Sequence, residues 1–379
     1  MDEIALYIHW PYCARICPYC DFNVYKNKPD TTRNLVAAIL ADMQYWRQLS
    51  GPRRLVSIHF GGGTPSLLPA KNLRQIISQA RQLWNAAESL EIGLEANPKD
   101  INKQVLRDWK LAGIERLSIG VQSFDDYALK FLGRDHDAAA ARKALEAAQT
   151  EIPRVSADLI YGWAGQTLDM LHKDLRIAVQ SGVSHISAYQ LTIEPGTAFG
   201  RAGIRGINKA VNSDHSADFF ELATDTLSAA GFEKYEVSNF AKNNANRSRH
   251  NLVYWQGGDY AGVGPGAHGR LTARGVRTAT IATLKPKDYI SAVDETGYAI
   301  KERETLDAKA WAEEYVLMGL RISSGISLSR YKQISGHGLA PERIAEFERA
   351  GLLVTSKDKL SATVQGSLVL DTVCRELLS

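Results

Sequence analysis

No stretch of this chain approaches about eighteen uninterrupted apolar residues, so no membrane-spanning helix is expected. Cysteine is scarce: there are four in 379 residues, three of them crowded into one short segment and the fourth, Cys374, far away near the C-terminus. That arrangement excludes an extracellular disulfide framework, and Cys374 reads as a buried helix residue. Charge of either sign is in little excess, the formal net charge being +3, which argues against nucleic acid and against an acidic membrane as partners. Internal repeats and low-complexity tracts are absent. Hydrophobic residues at 45% and charged residues at 23% are ordinary globular values, and the length accommodates one large domain and a smaller one. Asp2 and Glu3 lead straight into the first strand-like run, leaving no space for a signal or transit peptide. The expectation is a cytoplasmic protein, in a reducing compartment that suits free thiols.

The three clustered cysteines lie in Tyr7-Ile-His-Trp-Pro-Tyr-Cys13-Ala-Arg-Ile-Cys17-Pro-Tyr-Cys20-Asp-Phe22. A Cys-x3-Cys-x2-Cys loop can hold three irons of a [4Fe–4S] cube through thiolate sulfur and leave the fourth without a protein ligand. Clusters that only transfer electrons usually have four cysteine ligands, so the vacancy implies a small molecule that completes the coordination. The competing reading is structural zinc, with His9 or Asp21 as a fourth ligand. Zinc motifs usually pair one Cys-x2-Cys knuckle with a second, and the chain has no second pair.

The first half of the chain alternates strand and helix. Short runs rich in apolar or β-branched residues occur at 4–10, 55–60, 90–96, 116–122, 155–161 and 185–192, which predicts six parallel strands. Helical spacing links Leu35, Ile39, Met43 and Trp46, then Leu73, Ile76, Ile77, Ala80 and Trp84, and Gly113 and Gly182 stand where helices should close. Repeated βα units require a parallel sheet with right-handed crossovers, either doubly wound or curled into a barrel. Past about residue 300 the rhythm stops. Helices at 308–322, 328–334 and 341–350, followed by a hairpin, suggest a small winged-helix-like α+β domain. No basic stripe marks it for DNA.

The informative polar residues fall just after strand ends, where such sheets place their sites. After the second strand comes His59-Phe-Gly61-Gly62-Gly63-Thr64-Pro65, where three glycines open the backbone to close approach by a ligand or simply make a tight turn. The third strand ends on Glu95, the fourth on Gln122, and the fifth carries Asp158. Each alone is as easily a cap or a local hydrogen bond. Together they assemble a cysteine loop, a glycine floor and several hydrogen-bonding groups on one rim.

With these motifs in order, followed by Leu-Gly-Arg134-Asp-His and His250-Asn251-Leu-Val-Tyr254-Trp255, the chain resembles radical S-adenosylmethionine proteins. The likeness spans almost the whole length and is closest to the branch of oxygen-independent coproporphyrinogen III dehydrogenases and HemW-type haem chaperones. The resemblance implies an incomplete (β/α)6 TIM-like barrel over residues 1–240, a connecting segment over 241–299 that carries the His-Asn-x-x-Tyr-Trp motif, and the winged-helix-like domain over 300–379. It also implies a cluster on Cys13, Cys17 and Cys20, and S-adenosylmethionine surrounded by Tyr7, Tyr19, Gly62, Gly63, Thr64, Glu95, Gln122, Arg134 and Asp158. A reduced cluster would then break the S–C5′ bond of that nucleotide to give a 5′-deoxyadenosyl radical.

Two departures within the branch favour the chaperone over the dehydrogenase. Few residues precede Tyr7, where the dehydrogenase has an additional segment, and Phe22 stands where the dehydrogenase carries a further cysteine. The resemblance makes haem the cargo and His250 a candidate site for it, with Lys242, Arg247 and Arg249 as a nearby basic run. His9, His59, His136, His185 and His268 are further candidates that sequence does not rank. Haem-accepting proteins, respiratory ones among them, and an electron donor for the cluster complete the implied partners; a peripheral membrane contact stays open. The alternative is radical oxidative decarboxylation of porphyrinogen propionates. The run from Gly262 to Gly269 reads as a lid or as a plain connection.

Overall fold

The computed structural model describes residues 2–27 and 32–379. The six expected strands form in sequence: β1 (Glu3–Trp10), then, past the two-residue strands β2 (Tyr12–Cys13) and β3 (Tyr25–Lys26), β4 (Arg54–Gly62), β5 (Asn85–Ala96), β6 (Arg116–Gln122), β7 (Arg154–Tyr161) and β8 (His185–Gln190). Each pairs in parallel with the next, and a helix fills each crossover. The chain then returns to both edges. β9 (Glu233–Lys234) and β10 (Asn239–Ala241) add antiparallel strands beyond β8, while β11 (Tyr260–Val263) pairs in parallel with β1. β12 (His268–Ala273), β13 (Val276–Ala282) and β14 (Ile300–Leu306) extend that edge as an antiparallel meander, giving one sheet of twelve strands. Segment 241–299 thus supplies β11 to β13 to the same sheet, and residue 300 begins its last strand.

The parallel register dictates what faces inward. Tyr7 lies beside His59, His59 beside Gly93, Gly93 beside Arg116, and Glu95 beside Ser118. Ser118 pairs with Ser156, Ser156 with His185, and Asp158 with Ser187. Neighbours in register share a face, so these polar residues line one surface while the residues between them, such as Leu94, Leu117, Ile119, Val155, Ala157 and Ile186, join the core under the helices. The usual interior of an eight-stranded barrel is packed with branched apolar side chains. Here the apolar set lies outside and the lumen is polar.

Helix ends follow their local chemistry. Asn102, Asp125, Asp137 and Thr167 each cap a helix N-terminus with a side-chain oxygen. Gly113 closes the helix Lys103–Ala112 with φ at 104°, the left-handed conformation that glycine tolerates. The C-terminal residues build a separate core around Tyr315, Val316, Ile326, Leu353, Leu360 and the fully buried Cys374. Its order of helix Ala308–Gly319, β15 (Ile326–Ser327), helices Leu328–Ser335 and Pro341–Arg349, then the hairpin β16 (Leu353–Ser356) and β17 (Lys359–Ala362), is that of a winged helix. The first helix ends at Gly319 rather than at 322.

Buried polar anchors tie the returning strands to the barrel. Asp259 accepts from Arg53 at 2.7 Å and from Arg277 at 3.0 Å. On the helix Thr32–Ser50, Asp42 accepts from the Tyr289 hydroxyl at 2.7 Å, and that hydroxyl in turn accepts from Gly264 N at 3.1 Å. Burial pushes the Asp42 carboxyl up to about 7, against hydrogen bonds from Tyr289 and the Ala299 backbone that lower it. An unfolded aspartate loses its proton near pH ~3.9. Between that pH and about 7 the folded chain therefore holds a proton that the unfolded chain has released, so stability falls as pH rises through this window. Asp42→Asn removes the ionisation and keeps an acceptor for Tyr289. Urea unfolding at several pH values should show the wild type losing stability relative to the variant from about pH 4 to pH 7; parallel curves would contradict the assignment.

Candidate functional site

A cavity of about 520 Å³ runs down the barrel lumen, from the cysteine loop at the mouth to polar side chains deep in the barrel. It gathers Cys13, Cys17, Cys20, Tyr19, Gly62, Gly63, Thr64, Glu95, Gln122, Arg134 and Asp158, eleven of the thirteen residues expected at the cofactors. Tyr7 and His250 are not on its wall.

The cysteine loop is held from beneath by the glycines. Tyr25 N donates to Pro11 O and Asn27 N to Cys13 O, which pins the start of the loop, and Cys20 N donates to Cys17 O across its far turn. Gly63 N donates to Trp10 O at 2.7 Å and Thr64 N to Tyr12 O at 2.9 Å, so the backbone after β4 lies directly against the strand leading to Cys13. A Cβ on Gly63 would sit 2.9 Å from Trp10 O, Pro11 C and Tyr12 O, and one on Gly62, whose φ is 107°, would meet the His9 ring at 2.5 Å. The triplet is therefore required by packing as well as open to a ligand.

All four cysteines are free thiols. Burial pushes Cys13 up, countered by the Thr64 hydroxyl, and pushes Cys20 up to about 11, countered by the Phe22 N–H. Cys17 Sγ accepts from Arg134 Nη1 at 3.3 Å, and Arg134 Nη2 donates to Gly120 O at 3.2 Å. Arg134 Nε is buried without a partner among the described residues, a donor left over beside the sulfurs. Among the described residues no three His, Cys, Asp or Glu side chains are arranged to hold one metal ion. A cube presents its irons at separate corners, so its thiolates need not meet at one point as zinc ligands do. Three free thiols around a polar cavity, with spare cationic donors and a glycine floor, fit a cluster and a nucleotide.

Around the rim, Glu95 Oε1 is 3.0 Å from His59 Nε2, and its Oε2 accepts from Gly62 N at 3.2 Å. Both oxygens thus have a fixed direction and keep lone pairs for an ammonium or hydroxyl. Gln122 takes φ of 65°, where β6 and β7 slip register between Ile119 and Gln122, and this bulge turns its amide toward the cavity. Burial pushes the Asp158 carboxyl up, against hydrogen bonds from Ser118 at 2.7 Å and Ser156 at 3.0 Å.

His250, expected as a candidate haem ligand, is fully enclosed. Its Nδ1 pairs with Ser57 Oγ at 2.8 Å and its Nε2 with the Tyr254 hydroxyl at 2.6 Å, so neither nitrogen is left for an iron in this conformation. Burial, then the neighbouring His59 and Arg116, hold it well below the usual imidazole range. It stacks on His59 with ring centres 4.8 Å apart, and Tyr7 lies 6.2 Å from it. The basic run is likewise engaged: Arg247 pairs with Glu233, Arg249 reaches Ser89, and Lys242 lies over the Phe232 ring. His9, His136 and His185 are buried and hydrogen-bonded, whereas His268 is exposed. The run Gly262 to Gly269 is no lid. Gly264 packs against the His9 backbone and Gly269 against the Trp46 ring. Residues missed by motif reading include Arg116, Ser187, Tyr189 and Asn239, all on the cavity wall. For Arg116, Ser187 and Tyr189 the signal was the every-second-residue polar spacing of β6 and β8; Asn239, on β10, had none.

Gly63→Ala tests the packing. It must displace backbone leading to Cys13 and should cost about 1–3 kcal/mol. Iron and acid-labile sulfide after anaerobic reconstitution should fall below about half of the wild-type level while far-ultraviolet circular dichroism is kept; full loading would contradict the account.

The Radical SAM superfamily model matches residues 7–178, and the HemN C-terminal domain model matches 306–369. The mitochondrial radical S-adenosyl methionine domain-containing protein 1 of Bos taurus is 37% identical, the match covering 100% of this chain and 88% of that protein. Heme chaperone HemW of Haemophilus influenzae is 34% identical over 100% of this chain and 99% of its own length; that of Bacillus subtilis is 33% identical over 96% of each. Among solved structures, coproporphyrinogen III oxidase (HemN) from Escherichia coli superposes with a TM-score of 0.82 at 20% identity, covering 99% of this chain and 89% of that one, a likeness of fold. Superfamily membership carries with it a [4Fe–4S] cluster and S-adenosylmethionine. Similarity over the full length of both partners, and not over the barrel alone, shows that this chain belongs to the radical SAM superfamily, in the branch it shares with the HemW proteins.

Proposed function

We propose that this protein is a haem chaperone. It holds a [4Fe–4S] cluster on Cys13, Cys17 and Cys20, binds S-adenosylmethionine beside it, takes up haem and hands it to haem-requiring proteins such as respiratory ones. The observation that carries this reading is the end-to-end similarity to proteins named as heme chaperones. Phe22 supports it: 60% exposed at the cavity mouth, it places an apolar ring where a further thiol would serve the dehydrogenase pattern.

When bound, the cluster and nucleotide supply one-electron cleavage of a sulfonium carbon–sulfur bond. The chain's own residues bind and orient. Glu95, aligned by His59 and Gly62 N, receives the ammonium or a ribose hydroxyl. Arg134 offers planar donors to a carboxylate and steadies Cys17. Gly62, Gly63 and Thr64 admit the ligand against the backbone, Tyr19 and Gln122 complete the wall, and Asp158 stands deeper in the lumen. Tyr7 acts from behind, its hydroxyl 3.0 Å from His9 Nδ1. An electron donor must reduce the cluster from outside. No helix among the described residues is long and apolar enough to cross a membrane. We place the protein in the cytoplasm, reaching any membrane-bound recipient by peripheral contact.

The reconstituted protein should take up one haem per chain in an absorbance titration and pass it to an apo-haem protein. With reductant and S-adenosylmethionine it should form no protoporphyrinogen from coproporphyrinogen III; turnover with release of 5′-deoxyadenosine would overturn the reading. In the same titration His250→Ala should leave haem affinity and the Soret maximum unchanged. Its urea midpoint should drop, since two buried hydrogen bonds are lost, by about 2–4 kcal/mol in stability. An altered Soret band would put the imidazole on the iron.

A further inference from the structure

At the far end of the lumen one buried cation makes no direct ion pair among the described residues, although the charges of Glu91 and Asp158 reach it. Arg116 opens β6, is 4% exposed and lines the cavity, yet forms no ion pair among the described residues. Among the described residues its side chain's polar contacts are two long approaches of 3.4 Å from Nη2 to the His185 ring, whose nitrogens are already held by Ser156 at 2.7 Å and the Tyr235 hydroxyl at 2.9 Å.

The nearby carboxylates are spent elsewhere. Glu91 feels the Arg116 charge, but its oxygens take Arg154 at 2.8 Å, Arg249 N at 3.0 Å and His250 N at 2.9 Å. Asp158 accepts the hydroxyls of Ser118 and Ser156. The other groups facing Arg116 are Arg154, a second cation, and the rings of His185, His250 and Tyr235, with burial and the arginine charge driving both imidazoles to their neutral forms. A buried guanidinium without a direct carboxylate partner is costly, and arginine cannot shed its proton to escape the cost.

The same wall holds Asn251, whose side chain makes no hydrogen bond among the described residues. Asn251 is the second residue of the His-Asn-x-x-Tyr-Trp motif, and the buried ring of His250 beside it ties the helix Arg249–Trp255 to Ser57 of β4. Arg116 and Gln122 are opposite ends of β6, a rise of about 20 Å along the strand, so this end is separate from the rim that receives the nucleotide.

We propose that the deep end of the lumen is a carboxylate-binding subsite, with the Arg116 guanidinium taking the anion and the Asn251 amide donating beside it. The subsite stands on the lumen's own geometry and does not require that haem be the cargo. A porphyrin propionate and a free small carboxylate share this chemistry. The motif's asparagine then faces the ligand while its histidine holds the helix.

Cluster-loaded protein is titrated with two acid and neutral pairs, succinate against succinamide and haem against haem dimethyl ester, in wild type, Arg116→Gln and Asn251→Asp. At least one acid should bind wild type more than tenfold tighter than its neutral partner. Both substitutions should abolish that preference, Asn251→Asp through repulsion at a half-buried position that leaves Arg116 in place. Preference for succinate identifies a free carboxylate; preference confined to haem identifies the propionate. Equal binding within both pairs, or a preference that survives in Arg116→Gln, overturns the proposal and leaves Arg116 a structural counter-charge. If Arg116→Gln does not fold, Asn251→Asp decides alone. Absence of haem binding would sink the chaperone reading, while the succinate pair would still decide this one.

Discussion

Consecutive side chains of a strand point to opposite faces, and in β4 to β8 that alternation separates two environments. One face is apolar and lies under the helices; the other is polar and surrounds a cavity open at the cysteine loop. Parallel pairing carries the separation from strand to strand, because residues in register share a face. A one-residue slip would bury Glu95, Arg116 and Asp158 against helices and turn Leu94, Leu117 and Leu159 into the lumen. Every functional distance in the molecule depends on that register holding.

The mouth of the lumen is built by close backbone approach. Gly61, Gly62 and Gly63 bring β4 against Tyr7, His9 and the chain leading to Cys13, so the cysteine loop and the Glu95 carboxylate are set by one contact surface. Two later segments secure it. Gly264 and Gly266 meet His9 and Asn23, and Asn23 Nδ2 donates to Pro265 O at 2.9 Å and Leu284 O at 2.8 Å. The His-Asn-x-x-Tyr-Trp helix closes the other end, with Glu91 accepting from its first backbone amides. The strands that return after the sixth βα unit therefore complete the site and do more than link it to the C-terminal domain.

Much of this was legible in order of sequence. Six apolar runs gave six parallel strands, and the cysteine spacing and strand-end polar residues marked one rim, because short-range periodicity and turn chemistry govern both. The ends drifted: β5 starts at Asn85, where it pairs beside Arg54, and β8 stops at Gln190. The returning strands were not legible. β11 owes its place to pairing with β1, from Tyr260 beside Ala5 to Val263 beside Ile8, partners far apart in sequence, and β14 carries Lys301, Glu302, Arg303 and Glu304 on an exposed edge. A motif shows residue types and not burial, so it gave no sign that both ring nitrogens of His250 are engaged by Ser57 and Tyr254. Arg116 was passed over because a charge at a strand's first residue usually meets solvent, whereas here the lumen extends that far.

The central claim is that three thiolates leave one corner of a cube for the nucleotide. Mössbauer spectra of protein reconstituted with 57Fe, recorded with and without S-adenosylmethionine, test it directly. The account predicts a [4Fe–4S] spectrum in which one iron of the four changes its isomer shift when the nucleotide is added, the other three staying as they were. Four equivalent irons that ignore the nucleotide, or no cubane spectrum at all, would contradict it.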